Sequence, residues 1–148
     1  MKTTITAGLL GLLLSSQVLA FGEVGRWSSG WGQGVTEYVV VDAKQNQLYI
    51  ACGDEPAHMT LTVAGREYGY GTNQDFSLVI DGKEVEGMSD ADSRVGSDNF
   101  RYAWDRIRKA KSLAAKLPNG KLVPLPLTGA AKVLPASNSK GFPCHTLF

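Results

Sequence analysis

Residues 36–64, TEYVVVDAKQNQLYIACGDEPAHMTLTVA, contain three segments with the composition of β-strands. The first two, TEYVVVD at 36–42 and QLYIAC at 47–52, are rich in β-branched and aromatic residues. They flank a short polar stretch, and this arrangement predicts a β-hairpin. In the third segment, HMTLTVA at 58–64, apolar residues alternate with threonines, which is the period of a half-buried strand. The stretch therefore predicts consecutive antiparallel strands.

Two further hairpins are predicted downstream. Residues 76–87 have strand-like segments on both sides of an Asp-Gly dipeptide, which is typical of tight turns. Residues 112–127 have the same pattern around Pro-Asn-Gly. Because Pro124 and Pro126 lack an amide donor, the last of these strands is expected at a sheet edge or paired on one side only. One or two helical turns are expected at 128–134.

One amphipathic helix is predicted at 98–111, with Ser97 or Asp98 as its cap. Five cationic residues lie on its outer face and near its end. We interpret this face as solvated, because the helix dipole favours positive charge near the C-terminus. An acidic partner surface is the alternative. Apolar residues fall at helical spacing on the other face: Phe100, Ala103, Trp104, Ile107 and Ala110.

The expected fold class is α+β, mainly β. It consists of an antiparallel sheet or small β-sandwich with one amphipathic helix packed on it and one disulfide. Residues 21–34 contain five glycines, which predicts an irregular arm rather than a regular element. The arm is expected to place the indoles of Trp27 and Trp31 in the core; a surface pair that binds a sugar or a partner is the alternative.

Residues 1–20 have the pattern of a signal peptide. Lys2 precedes ten apolar residues at 5–14, and small or modest side chains stand before a cleavage site after Ala20. Ten apolar residues are too few to span about 30 Å of hydrocarbon. The residue directly after the cleavage site is Phe21 and not a cysteine, so a lipid anchor is not indicated. The sequence predicts a single globular domain at 21–148, periplasmic or secreted, with no membrane span.

The charge balance excludes some classes of partner. Removal of residues 1–20 would leave 14 cationic and 14 acidic side chains. Nucleic-acid-binding proteins usually carry a basic excess, and membrane-surface binders carry polybasic segments. We therefore expect no nucleic acid and no membrane as a partner. Another envelope or secreted protein is the expected partner, and the oligomeric state is left open.

Cys52 and Cys144 are the two cysteines of the chain. In an oxidising compartment two cysteines most often pair, so a Cys52–Cys144 disulfide is expected. A nucleophile formed by Cys144 with the adjacent His145 is the alternative.

No catalytic constellation is evident in the sequence. His58 and His145 are the two histidines, and each is interpreted as a surface or packing residue. Phosphate-binding, zinc-protease and serine-hydrolase motifs are absent from the sequence. The acids around residues 90–98 depart from the calcium-loop pattern, and Glu84 and Glu86 are interpreted as solvated. We expect no catalytic residues, no metal and no cofactor.

Three segments resemble exported bacterial β-rich proteins of the invasion-associated locus B type. These are FSLVIDGK at 76–83, KAKSL at 109–113 and PLTGAA at 126–131. The resemblance covers about residues 36–134. It implies a small periplasmic or secreted β-sandwich without enzymatic activity, and it carries over no site residues.

The expected function is binding without catalysis. Two polar loops, 65–75 and 88–97, have the composition of loops that insert into a partner's cleft. The partner could be a cell-envelope hydrolase that the protein inhibits or to which it gives immunity. A structural component assembled by edge-strand pairing and a small lytic enzyme with scattered carboxylates are the alternatives. The candidate binding surface consists of Tyr68, Tyr70, Asp90, Asp92 and Arg94.

Overall fold

The computed structural model describes residues 22–148, so the signal-peptide prediction for residues 1–20 lies outside the described part. The described chain has the expected class: it is mainly β, with two antiparallel sheets, a long helix and a short one. No helix within 22–148 has the length and apolar character needed to cross a membrane.

The first sheet has five strands in chain order, each antiparallel to the next. It confirms the predicted hairpin and the alternating strand that follows. The threonine-alternating strand has buried residues at every second position, as its sequence period requires. The strands are β1 (Trp27–Gly32), β2 (Val35–Val41), β3 (Gln47–Cys52), β4 (His58–Val63) and β5 (Arg66–Gly69).

The second sheet has four strands in the order β7-β6-β8-β9. It contains both predicted downstream hairpins, joined through the β6–β8 pair. The proline-containing strand lies at the sheet edge, so that prediction is confirmed. The strands are β6 (Ser77–Ile80), β7 (Lys83–Val85), β8 (Leu113–Lys116) and β9 (Leu122–Pro124).

Helix α1 (Arg94–Lys109) begins four residues before the predicted start. Its cap is Ser93, whose side chain accepts a hydrogen bond from the amide of Gly96 at 3.0 Å. The expectation of a cap at Ser97 or Asp98 is therefore wrong. Ser97 instead lies buried inside the helix and donates its hydroxyl to the Ala91 carbonyl at 2.9 Å. The short helix α2 (Ala130–Val133) confirms the predicted turns at 128–134.

A single hydrophobic core joins both sheets and α1. Trp104 lies fully buried at its centre and contacts three aromatic rings. Tyr38 meets it edge-on with ring centroids 5.0 Å apart, and Phe100 and Phe142 lie at 6.0 and 5.3 Å. Such offset and edge-on contacts add to the burial of the rings. The core therefore ties α1 to the first sheet and to the C-terminal segment.

The segments on either side of α2 are held to the rest of the domain by two tryptophan side chains and by the disulfide. The indole nitrogen of Trp104 donates to the Pro135 carbonyl at 2.7 Å, and that of Trp27 donates to the Pro126 carbonyl at 3.1 Å. Cys52 and Cys144, 92 residues apart, form the predicted bond. These contacts fix residues that contain little regular structure.

Three sequence expectations differ from the structure. Residues 27–32 form an edge strand rather than an irregular arm, because every residue from Trp27 to Gly32 pairs with β2. The predicted loop 65–75 contains strand β5, which pairs with β4. The predicted loop 88–97 contains the first residues of α1, which begins at Arg94. In the first two cases pairing with the neighbouring strand outweighs the local glycine content.

Candidate functional site

The outer face of the first sheet carries the candidate site. Strand pairing aligns Glu37, Ala51 and His58 across β2, β3 and β4, so their side chains point to the same face. The neighbouring positions Ile50 and Met59 point the other way, into the core. His58 is half-buried at the start of β4 and is the imidazole on this outer face.

His58 is stacked on Tyr70. The two ring centroids lie 3.9 Å apart with 20° between the planes, and Tyr70 remains 45% exposed. Gly69 allows the chain to turn here: its φ is +94°, and a Cβ on it would lie 2.7 Å from the Met59 carbonyl oxygen. The amide of Tyr70 donates to that same carbonyl at 3.1 Å. The turn after β5 thereby holds the phenol ring over the imidazole.

Asp90 lies beside His58. Residues 57–59 and 89–91 pair through three contacts: Met59 donates its amide to Ser89, Ala91 donates to Ala57, and His58 faces Asp90 in a bridge. Burial lowers the pKa of His58, against the opposing effects of a Pro56 backbone bond and the Asp90 charge. Burial raises the pKa of Asp90, and the neighbouring Asp92 charge adds to the rise. Both pKa shifts favour the neutral forms of the two groups.

Tyr49 and Glu37 extend the site along β3 and β2. The Tyr49 hydroxyl donates to Glu37 Oε1 at 2.6 Å. Burial, this hydrogen bond and the Glu37 charge together raise the pKa of Tyr49, so its hydroxyl stays protonated as a donor. Tyr49 therefore acts as a fixed partner of Glu37 and carries no charge.

A hollow of about 260 Å³ lies beside His58, which is one of its lining residues. Val35, Ala51 and Pro56 form its apolar lining, and the exposed residues Asp54 and Glu55 lie at its margin. Drug-sized ligands usually occupy about 300–1,000 Å³. The hollow is therefore the size of one inserted side chain rather than of a whole small molecule.

The structure brings together only part of the predicted binding surface. Tyr70 and Asp90 both contact the His58 region, and Asp92 is exposed in the same loop, where its amide donates to Asp90 Oδ1 at 3.1 Å. Arg94 is exposed at the start of α1, with its guanidinium carbon 5.0 Å from the centre of the Phe148 ring. Tyr68 differs: it is 8% exposed and belongs to the core.

Tyr68 is buried because of strand parity. It lies directly opposite Leu61 in the β4–β5 pair, and Leu61 is fully buried. Directly opposed residues point to the same face of a sheet. Tyr68 therefore packs in the core on the opposite face of the sheet from His58. Tyr70, which follows the strand, is the tyrosine that a partner can reach.

His58 belongs to the candidate site, although the sequence alone led us to interpret it as a surface or packing residue. One feature of the sequence did point to its position: it shares the period of Thr60 and Thr62, and so belongs to the polar face of β4. Its contacts with Tyr70 and Asp90 come from residues 12 and 32 positions away, which no local pattern reveals.

The carboxylates near His58 have no cationic partner among residues 22–148. Asp54, Glu55 and Asp90 lie outside all of the ion pairs found in that range. The region around His58 therefore carries acidic side chains that no described lysine or arginine neutralises.

A larger hollow of about 670 Å³ lies on the second sheet, and two of its charged side chains, Glu84 and Lys116, pair with each other. Glu84 accepts from the Ser77 hydroxyl at 2.6 Å and from Lys116 Nζ at 2.9 Å. These bonds lower the pKa of Glu84, and the Glu84 contact raises the pKa of Lys116. Their donors and acceptors already satisfy one another, so this network is best explained as cross-strand stabilisation.

Within residues 22–148, no group of three His, Cys, Asp or Glu side chains has the arrangement of a metal site. Asp90 and Asp92 share a loop, but Asp90 is held by the Asp92 amide and bridges to His58.

The observations define a class: a disulfide-bonded, two-sheet β domain with a helix in its core and an aromatic, acidic end. The YfjT family model matches residues 25–134, which is most of the chain. The chain belongs to the YfjT family. Neither a curated protein nor a solved structure matches it. The resemblance to the invasion-associated locus B type stays a prediction.

Proposed function

We propose that the protein is an exported, non-catalytic binding protein that engages another envelope or secreted protein. Within that class, a cell-envelope hydrolase that it inhibits is the partner to test first. The disulfide is consistent with a compartment outside the cytoplasm. The single observation that carries the proposal is the exposed Tyr70–His58 stack beside a hollow and unpaired carboxylates.

An exposed tyrosine in this setting is suited to contact a protein. Tyrosine is enriched among the residues that dominate binding energy, because it provides a large and rigid contact with a polar end. Stacking on His58 restricts the Tyr70 ring before any partner arrives. A restricted ring loses less conformational entropy when it binds. The stack is therefore a preorganised anchor.

The charges near the anchor favour a partner with a basic segment. Asp54 and Glu55 border the hollow, and no described lysine or arginine pairs with either of them. The hollow has room for one side chain with an apolar stem, and its charged margin would meet a cationic head. An arginine or lysine of the partner fits both requirements.

The test is capture from an envelope extract with the tagged protein, read by mass spectrometry. We expect one stoichiometric partner with the wild type and at least a tenfold loss of affinity with Tyr70→Ala, about 1.4 kcal/mol. Tyr102→Ala is the matched control, because Tyr102 is 39% exposed but lies on α1. Equal losses for both variants, or no stoichiometric partner at native expression, would contradict the proposal.

The lytic-enzyme alternative has its own test. If the protein hydrolyses cell-wall material, the purified wild type clears a cell-wall suspension, and Asp90→Asn abolishes the clearing while the fold remains intact. The proposed binding function predicts no clearing by either protein. The same suspension with an added envelope hydrolase then reports inhibition, which Tyr70→Ala is expected to weaken.

A further inference from the structure

Strand β1 presents unpaired backbone groups at the edge of the first sheet. Ser28, Gly30 and Gly32 point their backbone groups toward β2, as the alternating antiparallel register requires. Ser29 and Trp31 therefore point their N–H and C=O groups outward. Trp27 also points outward, and its amide donates to the Thr128 carbonyl at 2.9 Å. Among residues 22–148, no backbone hydrogen bond reaches the outward groups of Ser29 or Trp31.

The other three sheet edges are protected against pairing. β9 has Pro124 at one of its two outward positions, because the neighbouring amide of Leu125 already donates to Leu113 on β8. β7 is three residues long and contains Lys83 and Glu84. In β5, the outward amide of Gly69 is satisfied by the Gln74 carbonyl. Proline, charge, short length and loop cover are the usual means of blocking an edge.

β1 has none of these protective features between Ser28 and Gly32. Its sequence, WSSGWG, contains no charge and no proline. Trp31 is 74% exposed beside the unpaired groups, which makes it the most exposed large apolar residue of the described chain. An uncharged strand with open backbone groups and an exposed indole is a template for strand addition.

We propose that a second copy of this chain occupies the β1 edge, through antiparallel pairing of the two β1 strands about a two-fold axis at Gly30. In that register Ser29 of each copy faces Trp31 of the other, and the outward N–H groups of one copy meet the outward C=O groups of the other. Because β1 is uncharged, no like charges are brought face to face. The two five-stranded sheets become one continuous sheet.

The size of the edge sets the strength of the dimer. The Trp27–Thr128 bond closes one end of the free segment, and Gln33, with φ of 53°, turns the chain at the other. Pairing is therefore confined to a few residues, which together with the two indoles buries less than the roughly 1,200 Å² of a standard stable interface. The expected dimer is weak, with a Kd of about 10 µM to 1 mM.

The first measurement is amide hydrogen exchange of the full chain, expressed with its natural N-terminus, at about 10 µM and about 1 mM. The amides of Ser29 and Trp31 are expected to exchange more slowly at the higher concentration, by about twofold for a Kd of about 1 mM and by about sevenfold for a Kd of about 10 µM. The amide of Leu122, on the protected β9 edge, is expected to show no such change. Sedimentation velocity over the same range is expected to show the mass rise toward that of a dimer.

Substitutions test the same edge. Ser29→Lys and Trp31→Lys add charge to β1 and are expected to keep the protein monomeric at every concentration, with unfolding midpoints near that of the wild type. Leu122→Lys is the matched control, since Leu122 is 54% exposed on the edge strand β9, and it is expected to dimerise as the wild type does.

Two results would overturn the inference. One is a wild type that stays monomeric at 1 mM by sedimentation, where about half or more would be paired. The other is a dimer whose formation leaves the exchange of Ser29 and Trp31 unchanged. Neither result bears on the proposed partner site, because His58 and Tyr70 lie on the outer face of the sheet and Tyr70→Ala leaves β1 intact.

Discussion

At the scale of single residues, the three tryptophans differ in burial and in hydrogen bonding. Trp104 and Trp27 are buried and each donates its indole N–H to a proline carbonyl. Trp31, four residues after Trp27, is exposed. The sequence predicts that both tryptophans of the 27–31 segment lie in the core. The structure places one in the core and one at the sheet edge.

This difference predicts unequal effects on stability. Trp104→Ala removes three aromatic contacts and the bond to Pro135, and is expected to lower the free energy of unfolding by about 3–5 kcal/mol. Trp31→Ala is expected to change it by less than about 0.5 kcal/mol. Urea unfolding at low protein concentration compares the two. Similar losses for both variants would mean that the Trp31 indole is buried in solution.

The His58 environment predicts a pH dependence of stability. Because burial lowers the folded-state pKa of His58 below its unfolded value near 6.5, the unfolded chain binds more protons in that window. The His58 contribution to stability is therefore present above pH 6.5 and is lost as the pH falls from 6.5 toward the folded pKa. This contribution is measured by denaturant unfolding of the wild type and of His58→Gln at pH 7.5 and at lower pH.

The variant is expected to show a weaker loss of stability than the wild type just below pH 6.5. Asp90 acts in the opposite direction at lower pH, since its raised pKa means that the folded state takes up a proton before the unfolded state does. Equal slopes for the wild type and His58→Gln between pH 7.5 and 5.5 would show that His58 is solvated. NMR titration of the His58 ring gives the folded pKa directly.

At the scale of elements, the start of α1 links the helix to the candidate site. Gly96, in the first turn, approaches the Asp90 carbonyl so closely that a Cβ would lie 2.1 Å from the oxygen. The sequence predicts the helix only from Asp98, because residues 88–97 have the composition of a polar loop. The glycine is needed there for contact with the loop that carries Asp90, and Ser93 supplies the cap.

This contact predicts that Gly96→Ala affects both stability and the site. The added methyl group must displace the Asp90 backbone, at a cost of about 1–3 kcal/mol, and moves Asp90 relative to His58. Gly141→Ala is the control, because a Cβ there meets atoms only at ordinary contact distances. Chemical shifts of His58 and Tyr70 are expected to change in Gly96→Ala and not in Gly141→Ala.

The elements also show which predictions local sequence supports. The β2–β3 hairpin, β4 and the apolar face of α1 follow from composition and periodicity, because one face of each is buried. The sequence of β1 predicts an irregular arm, because its glycines disfavour a strand that has no neighbour to pair with. Its hydrogen bonds come from β2, and pairing with a preformed neighbour outweighs the backbone entropy of the glycines.

At the scale of the whole molecule, the expected fold class allowed a two-sheet sandwich, but local patterns could not predict where the chain passes from one sheet to the other. The chain crosses from one sheet to the other between β5 and β6, where Phe76 is buried and packs near Gly69. A hairpin has the same sequence pattern in either sheet, so its sequence does not show to which sheet it belongs.

The candidate site could not be predicted from local patterns either. His58, Tyr70 and Asp90 come from β4, the turn after β5 and the segment before α1, and they meet only in the folded chain.

The disulfide predicts a large effect on global stability. Loss of a native bridge in a small domain typically costs about 2–5 kcal/mol, and the loop closed by Cys52 and Cys144 spans 92 residues. Cys52→Ser combined with Cys144→Ser is expected to lower the unfolding midpoint in urea to that of the reduced wild type. A reductant is expected to have no further effect on the double variant. An oxidised wild type no more stable than the double variant would contradict this.

The position of the two half-cystines also orders the events of biogenesis. On the proposed export route the chain crosses from its N-terminus, so Cys52 in β3 would reach the oxidising compartment well before its partner, which follows 92 residues later. The thiol of Cys52 then has no partner until all of the strands and helices described within residues 22–148 have emerged. Closure of the bond therefore requires a completed polypeptide, and a chain interrupted before residue 144 keeps a free thiol that distinguishes it from finished protein.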